Sequence, residues 1–359
     1  MRREVDVAVI GGGQAGLATA YHLRRRGIEH VVLDDRDEPG GAWTSTWPSL
    51  RLFSPSAYSS LPGWPMPPHP DTFPPVEHVR AYLRAYEERY DLDVQRPVRV
   101  HDVHATREAL VLDTSAGQLA ARCVVSATGT WSAPFVPMVE GATSFAGRQL
   151  HSAHYRGPED FAGLRVAVVG GGNSGVQITA DLVDVADRVS LVTARRLRFL
   201  PDDVDGRHLF DQATARLRDP GEAQAAFVGN VVALPQVQRA RAAGALRVRA
   251  MFDRMVPEGA IIGRDRLELD AVIWCTGYRP ALRHLRSLRL RTSEGVPQVV
   301  DNQSVRDPRA CFVGYGDWTG PASATLIGVG RTAKALAARL ETQLGGGGGG
   351  RAMNMRKQT

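Results

Sequence analysis

Two segments of the chain repeat one pattern, and this repeat constrains the fold more than any other feature. Each segment has a short apolar run, then GxGxxG, then apolar residues at helical spacing, and finally a second apolar run; the segments extend over residues 7–33 and 166–192. An apolar run that turns through glycines into a helix and returns to a second apolar run predicts a strand–helix–strand unit. Two such units predict an α/β fold with two Rossmann-like dinucleotide-binding domains.

The glycines of this pattern have a mechanical role in nucleotide binding. The first allows a tight turn, the second lets the backbone approach a pyrophosphate, and the third lets the helix pack on the strand. The phosphates then lie at the positive N-terminus of the helix. We therefore expect nucleotide contacts from the glycines and the first helical residues, namely Gly11, Gly13, Gln14, Ala15 and Gly16 in the first copy and Gly170, Gly172, Asn173, Ser174 and Gly175 in the second.

The residues after the second apolar run differ between the two copies. Asp34 follows the first copy, 18 residues after Gly16, close to the position of a carboxylate that binds ribose hydroxyls and would repel a 2′-phosphate. The second copy has Thr193, Arg195 and Arg196 there, and guanidinium groups suit an adenosine 2′-phosphate. This difference predicts FAD at the first site and NADPH at the second, with a solvated arginine pair as the alternative.

Length and composition predict how the rest of the chain is divided. The 359 residues, 43% of them hydrophobic, suffice for about two globular domains. We predict a glutathione-reductase-like arrangement in which the NADP domain is inserted in the FAD domain: residues 1–157 and 281–344 form the FAD domain, and residues 158–280 the NADP domain. Residues 202–249 have too weak a pattern to assign. The glycine-rich residues 345–359 are predicted to be a flexible tail.

Charge and cysteine content exclude several classes of partner. The formal net charge of +6 raises the possibility of nucleic-acid binding, but the arginines are spread along the chain and form no basic stripe with aromatics, so we expect none. No apolar run is long enough to span a membrane. The three cysteines are far apart in sequence and lie beside apolar residues, which predicts reduced core thiols in a cytoplasmic protein.

Two further segments fit a flavin protein. Residues 312–317 are predicted to form a strand that ends at Asp317, where a carboxylate could bind ribityl hydroxyls. The helix that follows begins near Thr325 and could direct its N-terminus toward the pyrimidine edge of the flavin. In the GGAW sequence at 40–43, Gly41 and Trp43 could approach the isoalloxazine, although a core tryptophan is an equally good interpretation.

The most specific motif is FAGRQLHSAHY, from Phe145 to Tyr155. It is similar to the FxGxxxHxxxY motif of flavin-containing monooxygenases of the two-dinucleotide-binding-domain type, and the resemblance extends over nearly the whole chain except the glycine tail. The ATG sequence at 127–129 and the CTGY sequence at 275–278 match the family where the chain crosses between domains. The segments SLRLFSP at 49–55, LPGWP at 61–65 and GYGDW at 314–318 resemble a short bacterial branch that includes flavin monooxygenases encoded beside arsenic-resistance genes.

This resemblance implies a reaction and its participants. NADPH would reduce FAD, O2 would add at the flavin C4a, and a soft nucleophile such as a sulfide or an amine would take one oxygen atom from the C4a-hydroperoxyflavin. The cofactor does the difficult chemistry, so we expect neither a metal nor an acid/base triad, and His151 is interpreted as structural. The resemblance also implies flavin contacts at Val100, Thr128 and Gly129, and a flavin and oxygen pocket at Phe53 and Ser54.

Three other functions must be weighed against this one. A flavin disulfide reductase shares the architecture but needs a redox dithiol. A Baeyer–Villiger enzyme inserts oxygen beside a ketone, and its motif typically has Trp where this chain has Tyr155. A non-catalytic nucleotide sensor would keep the glycines without turning over NADPH. The sequence leaves the substrate open and the oligomeric state open as well, with a homodimer as the default.

Overall fold

The computed structural model describes residues 3–202, 204–215, 230–293 and 295–345. All but the first residue of the tail predicted at 345–359 therefore lies outside the described residues. The helices are α1 (Gln14–Arg25), α2 (Val76–Arg89), α3 (Asn173–Leu182), α4 (Gly206–Ala215), α5 (Pro235–Ala242) and α6 (Leu326–Gly345).

The first strands, up to the second glycine motif, are β1 (Arg3–Ile10), β2 (His30–Leu33), β3 (Val94–Gln95), β4 (Val100–Ala105), β5 (Leu110–Thr114), β6 (Gly117–Ser126), β7 (Arg148–His151) and β8 (Arg165–Val169). The later strands are β9 (Arg188–Val192), β10 (Arg198–Phe199), β11 (Asn230–Val231), β12 (Val248–Arg249), β13 (Arg254–Val256), β14 (Gly259–Ile262), β15 (Asp265–Glu268), β16 (Ala271–Trp274), β17 (Val299–Val300), β18 (Gln303–Ser304) and β19 (Ala310–Phe312).

Contacts along the chain divide it into two compact units. The first unit comprises residues 1–38, 87–128 and 282 onward, and the second comprises residues 39–86 and 129–281. The second unit thus takes in residues 39–86 and 129–157, which the sequence analysis assigns to the FAD domain. The predicted boundaries of the FAD and NADP domains stay a prediction, because they are defined by nucleotide binding, whereas the two units are defined by contacts within the chain.

The first unit contains a nine-stranded sheet built around the first glycine motif. Its order is β17–β18–β19–β6–β1–β2–β3, and β5 joins β4 to β6. Strands β19, β6, β1, β2 and β3 are parallel neighbours, and β4, β5 and β6 are antiparallel. The predicted strand–helix–strand unit is therefore confirmed, and β4, β5 and β6 add an antiparallel part to the sheet. β1 is buried from Val7 to Ile10, as expected of a central parallel strand covered on both faces.

The second unit contains a five-stranded parallel sheet in the order β12–β9–β8–β16–β7. Alternate residues of β8 enter two different apolar clusters: Val166 and Val168 pack with α3 and α5, whereas Ala167 and Val169 pack with Phe252 and Trp274. This alternation follows from the two-residue period of a strand. Strands β13, β14 and β15 form a separate antiparallel sheet.

One predicted strand is wrong. Residues 312–317 do not continue as a strand to Asp317, because β19 ends at Phe312 and a 3₁₀ turn spans Asp317–Thr319. Gly314 and Gly316 have φ values of 88° and 85°, and this left-handed conformation is incompatible with an extended strand. In the segment left unassigned at 202–249, the structure describes α4, β11, α5 and β12. None of the helices in the described part combines the length and the apolar composition needed to cross a bilayer.

Candidate nucleotide-binding sites

The first glycine motif forms a tight turn between β1 and α1. Gly11 has a φ of 106°, and a Cβ atom built on it would lie 2.7 Å from the carbonyl oxygen of Ala127. A Cβ on Gly16 would lie 1.8 Å from the carbonyl oxygen of Gly11. Both positions therefore require glycine. Gly13 is the N-cap of α1, which has no capping side chain and no acidic residue in its first turn, so the first N–H groups of the helix are available to an anion.

The second glycine motif repeats this geometry between β8 and α3. Gly170 has a φ of 133°, and a Cβ on it would lie 2.2 Å from the carbonyl oxygen of Cys275; a Cβ on Gly175 would lie 2.0 Å from the carbonyl oxygen of Gly170. Gly172 caps α3 without a side chain, and no described atom lies within 4 Å of a Cβ built there. The open space at Gly172 is where a pyrophosphate approaches the backbone in this motif.

Asp34 lies at the carboxyl end of β2, and only 4% of its surface is exposed. Arg96 Nε donates to Asp34 Oδ2 at 2.9 Å, and the two terminal nitrogens of Arg96 donate to the carboxylate of Glu87 at 2.5 and 2.8 Å. Oδ1 of Asp34 accepts no hydrogen bond from the residues that the structure describes. The carboxylate is thus fixed by one oxygen and can offer the other to a hydroxyl group.

Neither Arg96 nor Glu87 is predicted from the sequence. They lie 62 and 53 positions after Asp34, outside either glycine motif, and no local pattern connects them to it. A buried carboxylate needs a partner, which is the only signal that could have prompted a search. Gly12 also belongs to this arrangement, because a Cβ on it would lie 2.7 Å from Asp34 Oδ2 and 2.8 Å from Arg96 Nη2.

The residues after β9 form a short turn that exposes two arginines. The hydroxyl of Thr193 accepts from the backbone N–H of Arg195 at 3.1 Å and donates to its carbonyl oxygen at 3.1 Å. Arg195 and Arg196 are exposed, and neither guanidinium has a hydrogen-bond or ion-pair partner within the described parts of the chain. Thr193 therefore shapes the turn, and both guanidinium groups are available to an anion.

On the helix α3, Asn173 is already partly engaged. Its Oδ1 accepts from the backbone N–H of Val232 at 3.0 Å, which ties the start of the helix to β11. Ser174 is half-buried beside it. The predicted contact from Asn173 is thus limited to its amide nitrogen and its backbone.

In the first unit, the predicted flavin contacts at Thr128, Thr325 and Gln14 lie near strand and helix ends. The hydroxyl of Tyr315 is 2.8 Å from Thr128 Oγ1 and accepts from the Thr128 backbone N–H at 3.2 Å. Thr325 immediately precedes α6, and its Oγ1 accepts from the N–H of Gly328 at 3.0 Å, as a helix cap does. Gln14 Nε2 donates to the carbonyl oxygen of Ala324 at 2.8 Å, so the starts of α1 and α6 lie together.

Three other predicted nucleotide contacts of this unit are Ala15, Val100 and Asp317, for which no side-chain hydrogen bond is described. Ala15 is buried, and a Cβ on Gly314 would lie 2.6 Å from its Cβ. Val100, in β4, is half-buried against the apolar core of the unit, and the side chain of Asp317 lies outside the described part.

The other predicted flavin residues lie in the second unit. Gly41 and Trp43 belong to a 3₁₀ helix, Gly41–Ser45, whose last carbonyls accept from Arg80: Nε donates to Trp43 O at 2.8 Å. Phe53 is half-buried and packs on the apolar core around α3. Ser54 Oγ is 3.0 Å from Ser59 Oγ. Gly129 has a φ of 61°, and a Cβ built on it would meet no described atom within 4 Å.

His151 connects two loops of the second unit. Its Nδ1 accepts from the backbone N–H of Ala153 at 3.1 Å, which places the proton on Nε2, and Nε2 donates to the carbonyl oxygen of Gly277 at 2.9 Å. Burial lowers the pKa of His151. Both nitrogens of the neutral ring are therefore occupied by backbone, which supports the structural interpretation.

Tyr155, at the end of the same motif, is fully buried. Its ring packs edge-on to Trp47 at 5.9 Å between centroids and stacks on Phe161 at 5.8 Å. Burial raises the pKa of its hydroxyl, which has no hydrogen-bond partner among the described residues. Tyr155 thus packs the core of the second unit.

The three cysteines are free thiols. Burial raises the pKa of Cys123 to about 11 and that of Cys275 to about 12, and it also raises the pKa of Cys311 well above its usual value. Thiols with such pKa values are protonated at neutral pH, so they supply no reactive thiolate. One group in the described residues has side chains spaced for a metal, Asp102, His104 and Asp113 on β4 and β5, and it is only half-buried.

Known proteins resemble this chain in sequence and structure. The family model of pyridine nucleotide-disulphide oxidoreductases matches residues 8–217. The solved flavin-containing monooxygenase from Stenotrophomonas maltophilia is 45% identical, with a TM-score of 0.89 over 95% of this chain and 99% of that one. The oxidoreductase CzcO of Bacillus subtilis is 28% identical over 92% of this chain and 97% of the relative. A CzcO-like oxidoreductase of Geobacillus kaustophilus is 32% identical, but this match covers only 58% of the chain and 60% of the relative.

Proposed function

The chain belongs to the pyridine nucleotide-disulphide oxidoreductase family, as one of its flavin monooxygenases, and on that premise we propose that it uses FAD and NADPH to transfer one oxygen atom of O2 to a soft nucleophile. The other oxygen atom leaves as water, and NADPH supplies the two electrons. A small sulfide or amine is the proposed class of substrate.

The two glycine cradles are the observation that carries this proposal. Each has positions that a single Cβ atom would fill, above an uncapped helix N-terminus, and such a cradle suits a pyrophosphate. Gly11, Gly13 and Gly16 would hold the FAD pyrophosphate, and Asp34 would accept from ribose hydroxyls. Gly170, Gly172 and Gly175 would hold the NADPH pyrophosphate.

The preference for NADPH rests on Arg195 and Arg196. Two exposed guanidinium groups without partners in the described residues stand at the end of β9, where the adenosine ribose lies in this motif. They would pair with the 2′-phosphate through charge-assisted hydrogen bonds. The first site has a buried carboxylate at the same point, which suits a nucleotide without that phosphate.

Bound flavin supplies the electron transfer and the oxygen activation. The chain binds and orients the two nucleotides, and we assign no proton transfer to His151, Tyr155 or the cysteines. A disulfide-reductase function is disfavoured because burial raises the pKa of all three thiols, so they supply no reactive thiolate at neutral pH.

The substrate class is tested by product analysis. Purified FAD-loaded protein with NADPH and O2 would be given methyl phenyl sulfide, N,N-dimethylbenzylamine and cyclohexanone in separate reactions. We expect the sulfoxide or the N-oxide as the main product. A lactone from cyclohexanone, formed faster than either of these, would favour the Baeyer–Villiger alternative. NADPH that is not turned over with any substrate would favour the nucleotide sensor.

A further inference from the structure

A cavity of about 740 Å³ lies in the first unit, in the segment that follows residue 281. Its wall is strongly basic: the lining side chains include Arg283, Arg286, Arg289, Arg291 and Arg306. Among the residues that the structure describes, no acidic one lines it, and none of these five guanidinium groups forms an ion pair with them. A cavity of this size is suited to a small organic ligand.

The arginines of the wall are exposed, and two of them lie close together on one short helix. Arg283 and Arg286 lie three residues apart on a 3₁₀ helix, Arg283–Leu288, and side chains at this spacing eclipse one another, so their like charges repel. Arg289 ends the helix with a φ of 52°, a left-handed conformation that is unfavourable for a residue with a side chain. Arg306 Nη1 donates to the carbonyl oxygen of Arg289 at 2.9 Å and holds it there.

The floor of the cavity is apolar. Leu282, Leu285, Leu290 and Pro297 line it, and all four are buried. No aromatic side chain is among the lining residues, whereas sites for single-stranded nucleic acid stack bases on aromatic rings. An inorganic anion would form no apolar contact with the leucines. The cavity therefore combines a phosphate-binding wall with a surface for an aliphatic body.

We propose that this cavity binds an organic phosphate, with its phosphate groups held by the arginines and its aliphatic body seated on the leucines. Guanidinium groups bind phosphate through paired hydrogen bonds, and several of them around one cavity match a ligand with two or more negative charges. The site is separate from both glycine motifs and does not depend on the oxygenase reaction. The ligand is either a free metabolite or the headgroup of an anionic lipid.

The test uses FAD-loaded protein saturated with NADP⁺, so that both nucleotide sites are filled. Binding of geranyl diphosphate would be measured by calorimetry and compared with that of inorganic pyrophosphate. Co-sedimentation with phosphatidylcholine vesicles, with and without phosphatidic acid, would test the lipid source. The test variant is Arg286→Gln/Arg289→Gln. The control is Arg188→Gln/Arg264→Gln, which removes the same charge from two exposed arginines that do not line the cavity.

We expect geranyl diphosphate, or vesicles with phosphatidic acid, to bind the wild type and the control variant equally. The test variant should bind roughly 100-fold more weakly, because each charge-assisted contact contributes about tenfold or more. Binding of the vesicles with phosphatidic acid, without binding of geranyl diphosphate, would identify a lipid headgroup as the source of the phosphate. The proposal would be overturned if the test and control variants lost the same affinity, or if the wild type bound inorganic pyrophosphate as tightly as geranyl diphosphate. Absence of binding for every probe would overturn it as well.

Discussion

At the scale of single residues, the ion pair with Arg96 holds the carboxylate of Asp34 at the end of β2. Both side chains are nearly inaccessible, at 10% and 6% exposure. Replacing Arg96 by Met would leave the buried carboxylate of Asp34, and that of Glu87 beside it, without their shared partner, and breaking a buried ion pair costs about 3–5 kcal/mol. We expect the free energy of unfolding, measured in urea with excess FAD, to fall by that amount.

Arg99→Met is the matched control for this prediction. Arg99 pairs with Asp35 at 3.2 Å, but the two side chains are 65% and 50% exposed. Exposed pairs contribute less than about 1 kcal/mol, so this variant should unfold at nearly the wild-type urea concentration. Equal destabilisation by the two substitutions would mean that Asp34 is not held as described.

Arg195 is expected to set the nicotinamide preference. Loss of a charge-assisted phosphate contact should weaken NADPH use by about 1.5–3 kcal/mol and leave NADH nearly unchanged. The ratio of kcat/KM for the two nucleotides would be measured in the wild type and in Arg195→Ala. Arg188→Ala is the control, because Arg188 lies at the opposite end of β9. An unchanged ratio in Arg195→Ala would assign the phosphate contact to another residue.

At the scale of elements, the sequence predicts the structure best where a short motif alone determines the local backbone conformation. The glycines at 11 and 170 are required by close backbone contacts, so the turn into each helix follows from the motif itself. The strand predicted to reach Asp317 was wrong because an apolar run does not reveal the left-handed glycines at 314 and 316. Arg96 could not be predicted, since its partner is distant in sequence and the contact depends on the finished fold.

The last turn of α3 carries a carboxylate whose ionisation opposes folding. Burial raises the pKa of Asp181 to about 6. The hydroxyl of Ser49 donates a hydrogen bond to this carboxylate, which lowers the pKa but by less than burial raises it. The folded state therefore holds a proton between pH 4 and pH 6 that the unfolded chain releases. Stability from this group is fully present below about pH 4 and is lost as the pH rises through 6. The loss is at most about 3 kcal/mol, since one pKa unit corresponds to about 1.4 kcal/mol.

Asp181→Asn should remove this decline, because an amide stays neutral at every pH. Thermal unfolding would be measured between pH 4 and pH 7. The Tm of the variant should rise relative to the Tm of the wild type as the pH increases. Asp184→Asn, on an exposed neighbour, should keep the wild-type profile. Parallel profiles for the wild type and Asp181→Asn would contradict the raised pKa.

At the scale of the whole molecule, the chain has two glycine cradles whose neighbouring side chains carry opposite charges. The first presents a fixed carboxylate and the second presents two exposed guanidinium groups. This combination matches a protein that keeps a flavin nucleotide in one site and exchanges a phosphorylated nicotinamide nucleotide in the other. The family predicted from the motif at 145–155 agrees with the family found by comparison.

We predict that an oxygen atom of O2 reaches the substrate. The direct measurement is isotopic: FAD-loaded protein, NADPH and methyl phenyl sulfide react under ¹⁸O2 in unlabelled water, and the sulfoxide is analysed by mass spectrometry while NADPH loss and hydrogen peroxide are measured. We predict one ¹⁸O atom in each sulfoxide and close to one NADPH consumed per product. Unlabelled sulfoxide, or hydrogen peroxide equal to all the NADPH consumed with no oxygenated product, would contradict the monooxygenase function.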